Sequence, residues 1–267
     1  MQTIDESLLA GGAMIDLNSR PVESSIVPIF HYAVKARPEF VGSGVYFSIG
    51  GSHFLITAKH VAGNKPDQFV IPQSTEEFDS IPTSMFVHTE SDEIDVAVAQ
   101  LDTPLPMFIP IQKGQLVDLD ESRHIPNRLI ALGFPGSKVR ATSTEVKTLL
   151  KKYASTEASR LEYTRLSVDR RVTHVLDFDK TQVISLTKGM STFPNPNGMS
   201  GGGLFWMHHK GILEREPVLL GGILTEWDPK TKKGMKATKI KYVLAMISAR
   251  FGVEIDSKWT KGISIKK

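Results

Sequence analysis

The 267-residue chain has no cysteine. That single absence excludes disulfides, thiolate metal sites and cysteine nucleophiles, and it favours a reducing compartment. Net charge is also scarce. There are 32 basic and 29 acidic residues, a formal balance of +3, too little to draw a polyanion through bulk charge. No apolar run approaches the roughly 20 residues that cross a bilayer. The opening stretch MQTIDESLLAGGAMIDL has neither the basic start nor the continuous apolar run of a secretion signal. Fixed-period repeats and low-complexity linkers are missing too. These absences predict a cytoplasmic globular protein without nucleic-acid or membrane partners. Hydrophobic residues make up 40% of the chain, enough for a full core.

What is present is a succession of short strands. Val27–Val34, Gly44–Ile49, Ser52–Ala58, Asp95–Leu101 and Leu129–Phe134 read as strands, the second and third joined by a Gly50-Gly51 turn. From 142 to 166 the rhythm changes. Val146, Leu149, Leu150 and Tyr153 fall at helical spacing and predict a helix-containing insertion. Strands resume at Val172–Phe178, Thr181–Leu186, Leu204–His208 and Val218–Thr225. A Pro/Asn/Gly-rich loop spans 191–203, and a C-terminal helix is expected over 238–250, closed by Gly252. The pattern is all-β, a barrel pair or a sandwich; periodicity does not separate the two.

Three segments carry chemistry. In Asn197-Gly198-Met199-Ser200-Gly201-Gly202-Gly203, a serine sits among glycines that let the backbone bend tightly and leave room for a substrate carbonyl. Taken alone, it also reads as an ordinary glycine-rich turn. Phe54–Ala58 runs as an apolar strand straight into Lys59-His60, which holds a general base on a firm element. Asp95 stands at the start of the alternating strand Val96–Leu101, where an acid becomes buried enough to orient a histidine. Asp92 and Glu93 read as loop acids, and Asp102, beyond the strand, is the second choice. Adjacent His208 and His209 would face opposite sides of a strand and form no joint metal site.

Together these segments resemble the trypsin-like (chymotrypsin-fold) serine proteases. Thr57, Ala58 and His60 match the T-A-x-H motif. Asp95-Val96-Ala97-Val98 matches the acid motif. Gly198, Ser200, Gly201, Gly202 and Leu204 match the nucleophile motif. Their order His, Asp, Ser is the chymotrypsin-fold order. Gly42-Ser43-Gly44, Gly133-Phe134-Pro135-Gly136 and Leu220–Thr225 extend the likeness to about residues 25–250.

The resemblance implies two packed six-stranded β-barrels with a helical insertion and a C-terminal helix. An arm would cover 1–24, a first barrel 25–118 with His60 and Asp95, and a second barrel 119–267 with Ser200. It implies serine endopeptidase chemistry through an acyl-enzyme, with an oxyanion hole at the N–H groups of Gly198 and Ser200 and no metal or cofactor. Met199 replaces the aspartate that pairs with a newly cut N-terminus in digestive members, so that route of activation is excluded. Lack of cysteine suits intracellular bacterial members.

The substrate pocket is expected from Thr225, Glu226, Trp227 and Pro194. Glu226 reads either as a binder of a basic group or as a solvated loop acid. The partner is a protein or peptide substrate, with a regulatory protein gating access through the arm or the insertion. A catalytically silent binding or scaffold module on the same fold is the competing expectation. The basic tail from Lys258 to Lys267 reads as a solvated end.

Overall fold

A computed structural model describes residues 19–32, 38–63, 68–74, 77–82, 85–91, 93–118, 120, 127–142, 146–179, 183–185, 189–208, 217–228, 230–231 and 233–265. Residues 1–18 of the expected arm, Asp92, His209, the chain at 121–126, the ends of the 181–186 strand and the last two residues of the tail lie outside them.

Strands β1 (Ile26–Tyr32), β2 (Pro38–Ile49), β3 (Ser52–Thr57), β4 (Gln68–Pro72), β5 (Phe78–Pro82), β6 (Phe86–His88), β7 (Ala97–Leu101) and β8 (Ile111–Gln112) form the first sheet. Its order is β5-β4-β1-β2-β3-β7-β6, with β8 parallel to β2. The second half begins with β9 (Asn127–Gly133), followed by the hairpin β10 (Val139–Ala141) and β11 (Val146–Thr148). Then come β12 (Lys151–Ser155), β13 (Thr173–Asp179), the small hairpin β14 (Val183–Ser185) and β15 (Gly189–Ser191), β16 (Gly203–His208), β17 (Val218–Trp227) and β18 (Lys233–Lys239). Six of these make the second sheet, in the order β12-β9-β16-β17-β18-β13. Two curled sheets packed together are the chymotrypsin-like architecture, with eight strands rather than six in the first among the described residues.

Period-two alternation explains why these strands read as nearly continuous apolar runs. In β3, Phe54 and Ile56 join the cluster between the two sheets, while Leu55 faces the curl of its own sheet. In and just before β7, Val96 and Val98 go to the shared cluster, and Ala97 and Ala99 to the inner one. The second sheet repeats the scheme: Phe205 and Met207 face the seam, Leu204 and Trp206 their own interior. Helix Ile240–Phe251 buries Ile240, Val243, Leu244 and Ile247 against the same seam, an i, i+3, i+4, i+7 stripe.

Two expectations shift. The helical spacing of Val146, Leu149, Leu150 and Tyr153 does not give a helix. Residues 146–148 pair with β10, and Lys151–Ser155 pairs with β9 as an edge strand. Tyr153 packs edge-on against Phe178, 4.6 Å between ring centroids. Cross-strand pairing overrides a pattern that fits either period over so few residues. The helix of the insertion is instead Arg160–Arg165, started by Ser159, whose side chain accepts from Glu162 N–H. At the C-terminus, Thr238 and Lys239 belong to β18 and the helix starts at Ile240.

Candidate active site

His60 lies in the single helical turn Lys59–Gly63 that follows β3 directly, and Asp95 lies two residues before β7. Because β3 and β7 are antiparallel neighbours, with Thr57 opposite Ala97, the two side chains emerge at the same sheet end. Asp95 Oδ2 is 2.7 Å from His60 Nδ1, and Asp95 Oδ1 accepts the His60 backbone N–H at 3.0 Å. The carboxylate is therefore fixed by two bonds from one residue. The hydrogen bond to Asp95 raises the His60 pKa above the ordinary imidazole value; partial burial opposes it, and the charges of Asp95 and Glu226 add to it. Burial pushes Asp95 upward, but the His60 hydrogen bonds and charge outweigh it and leave the carboxyl below its usual range. Asp102 is exposed past the end of β7, and Glu93 is exposed on the rim of the cleft beside His60.

Ser200 stands in the loop before β16. Every described peptide bond is trans, so the C=O and N–H of one peptide unit point in opposite directions. The Asn197 carbonyl accepts from Gly136 N–H at 2.7 Å, which turns Gly198 N–H outward. The Met199 carbonyl accepts from Gly202 N–H at 2.9 Å, which turns Ser200 N–H outward too. The intervening Met199 N–H is spent on Pro196 O, and Gly201 N–H on Leu224 O. Among the described residues, the Gly198 and Ser200 N–H groups donate to no other group of the chain. Two unspent donors thus belong to Ser200 itself and to the residue two places before it. Gly198 has φ 95°, and a Cβ there would collide with the Phe40 ring.

Behind this loop is Ser43, fully buried in β2. Its hydroxyl accepts from Phe134 N–H at 2.9 Å and donates to Gly198 O at 2.8 Å. Its backbone N–H donates to Ser200 O at 2.8 Å, and its carbonyl accepts from the Thr57 hydroxyl at 2.7 Å. One serine therefore ties the histidine strand, the serine loop and the end of β9 together. The only local signs of this are Gly42-Ser43-Gly44 and the polar Thr57 in an apolar strand. Ser43→Ala leaves the buried Phe134 N–H and the half-buried Gly198 O without that partner. A loss of about 1–3 kcal/mol is expected, read as a lower denaturant midpoint at unchanged slope.

The expected pocket residues divide. A cleft of about 590 Å³ is lined by His60, Asp95, Thr225, Glu226, Lys236 and the turn Leu166–Asp169 at the end of the insertion, where Ser167 adopts φ 51°. A second, much smaller cavity lies beside Ser200 and shares Thr225 and Glu226 with the cleft; Trp227 and Pro196 also line it. Pro194 lines neither. Glu226 is paired with Lys236 at 2.9 Å, and Trp227 Nε1 donates to Asn197 Oδ1 at 2.8 Å. No hydrogen bond joins the Ser200 hydroxyl to the His60 ring.

No protein-family model matches this chain, and no curated protein sequence matches it. Among solved structures it is similar to the MamO protease domain from Magnetospirillum magneticum in its apo form, at 18% identity and TM-score 0.48, covering 85% of this chain and 97% of that one. It is also similar to the serine endoprotease from Yersinia pestis, at 19% identity and TM-score 0.49, covering 94% of this chain and 70% of that one.

Proposed function

We propose that this chain is a serine endopeptidase with His60, Asp95 and Ser200 as its catalytic triad. The observation that carries the reading is the pair of unspent N–H donors at Gly198 and Ser200, the kind of donor pair a tetrahedral oxyanion needs beside the nucleophile. The 2.7 Å His60–Asp95 bond supports the base. With Nδ1 occupied by the carboxylate, Nε2 is the nitrogen free to take a proton.

In this mechanism Ser200 Oγ attacks the peptide carbonyl carbon as its proton passes to His60 Nε2. The carbonyl oxygen takes the negative charge against the Gly198 and Ser200 N–H groups. The imidazolium, stabilised by Asp95, then protonates the leaving amine as the C–N bond breaks. Water hydrolyses the acyl-enzyme by the same proton path in reverse. The missing Ser200–His60 hydrogen bond closes when substrate excludes water from the cleft, as such bonds do in Michaelis complexes.

The substrate is a protein or peptide chain lying along Thr225–Trp227. The chemistry assigned to these residues calls for neither metal nor cofactor. A chain with no cysteine suits a reducing compartment, and the enzyme's proposed place is the cytoplasm of a bacterial-type cell. A regulatory partner acting at the insertion, whose last residue Leu166 leads into the cleft wall Leu166–Asp169, is part of the same proposal.

The missing Ser200–His60 bond also favours one rival, a silent protease-fold binding module. A fluorophosphonate reagent separates the two. Wild type is expected to gain one adduct on Ser200 by intact mass, and Ser200→Ala none. Equal labelling of both proteins, or of neither, would reject the peptidase.

A further inference from the structure

The cavity beside Ser200 measures about 10 Å³ and is lined by Pro196, Met199, Leu224, Met235 and the stretch Thr225–Trp227. We propose that it receives the substrate side chain on the acyl side of the scissile bond and that it selects small aliphatic residues, alanine first and valine second. This rests on Ser200 being the nucleophile.

Position comes first. The cavity touches Ser200 itself, and its wall Thr225–Glu226 is also a wall of the cleft that holds His60. A peptide laid along that wall, with its carbonyl oxygen at the Gly198 and Ser200 N–H groups, brings the side chain on the acyl side up to this cavity.

Size comes second. A space of this volume holds about one water-sized sphere, which is also the bulk of one methyl group. Two of its walls are Met199 and Met235, 2% and 3% exposed. Unbranched thioether chains yield by changing rotamer, which admits the two further carbons of valine but not a phenyl ring.

Charge comes third. Pro196, Met199, Leu224 and Met235 offer no counter-ion. Glu226 is the one acid among the lining residues, but its side chain is 58% exposed and held by Lys236. A lysine or arginine head in this cavity would be buried unpaired, which costs more than its stem returns. Glu226 is thus assigned to the rim rather than to recognition of a basic residue.

The test uses peptidyl diphenyl phosphonates identical except for the residue at phosphorus: alanine, valine, phenylalanine or lysine analogues. A simple fluorophosphonate without a side chain runs alongside. The readout is the rate of Ser200 adduct formation by intact mass. Alanine and valine reagents are expected to react at least about tenfold faster than the other two, the low end of what one or two methylenes decide in a tight apolar pocket. Met235→Ala should raise the phenylalanine rate by about tenfold or more relative to alanine. Met199→Ala opens the cavity from its other side and serves if the first variant fails to fold. Lysine or phenylalanine reacting as fast as alanine on wild type overturns the proposal, as does an unchanged preference in both variants. So does labelling by the fluorophosphonate with no reaction from any peptidyl reagent, and in that case the nucleophile reading survives. Failure of the fluorophosphonate itself removes that reading, and this proposal with it.

Discussion

Asp95→Asn lowers kcat by roughly 10⁴-fold while the protein stays folded. The reason lies in how Asp95 is held. Its Oδ1 accepts the His60 backbone N–H, and its Oδ2 meets Nδ1. An asparagine must keep its single oxygen on the backbone N–H, so its NH₂ faces Nδ1. The ring then accepts at Nδ1 and carries its proton on Nε2, where it can no longer act as a base. The pH profile changes in a defined direction. The Asp95 hydrogen bond raises the His60 pKa, and catalysis needs the neutral ring, so wild-type activity rises through a limb above the ordinary value of about 6.5. In the variant the residual activity should rise at lower pH. Steady-state kcat/KM between pH 5 and 9 reads both effects; an unmoved limb with full activity would remove Asp95 from the mechanism.

Gly201→Ala is the more damaging change to the molecule itself. Gly201 has φ 87°, in the left-handed region, and a Cβ there would fall inside the Ser43 carbonyl and the Thr57 hydroxyl. Strain at that backbone conformation and forced overpacking together cost about 2–6 kcal/mol. The loop can relieve this only by lifting away from β2, which breaks the bond from Ser43 N–H to Ser200 O. Both stability and fluorophosphonate labelling should fall. Gly51→Ala, at a hairpin turn with nothing within 4 Å of the added carbon, separates the cost of left-handed backbone from the cost of the collision. A Gly201→Ala protein with wild-type melting temperature and labelling would refute the account.

The candidate site was legible because its parts are short and local. His60 follows an apolar strand, Asp95 precedes one, and Ser200 sits among glycines, so each announces itself within about eight residues. Antiparallel pairing of β3 with β7 then brings the first two together, a consequence of register that spacing alone does not reveal. What stayed hidden was long-range. Ser43 acts through Phe134, Gly198 and Ser200, and no local pattern distinguishes a buried serine that fastens three segments from one that fills space. The cavity beside Ser200 is lined by Met199 from the serine loop and by Met235 from β18, so its size could be known only once β17 and β18 were paired. The strands β4, β5 and β6 were missed because each is three to five residues long, and β11 and β12 were misread because four apolar residues fit either period.

The inward turn of the Asn197 and Met199 carbonyls has a consequence for timing. The work of aiming the two donors is done once, when the chain folds, and is held thereafter by Gly136 and Gly202. Under the proposed chemistry no water shell or side chain must swing round as charge builds on an incoming oxygen, so turnover would begin from a surface already polarised for it. A peptidase of the proposed kind would have to be restrained by denying entry, because its electrostatics would never be switched off.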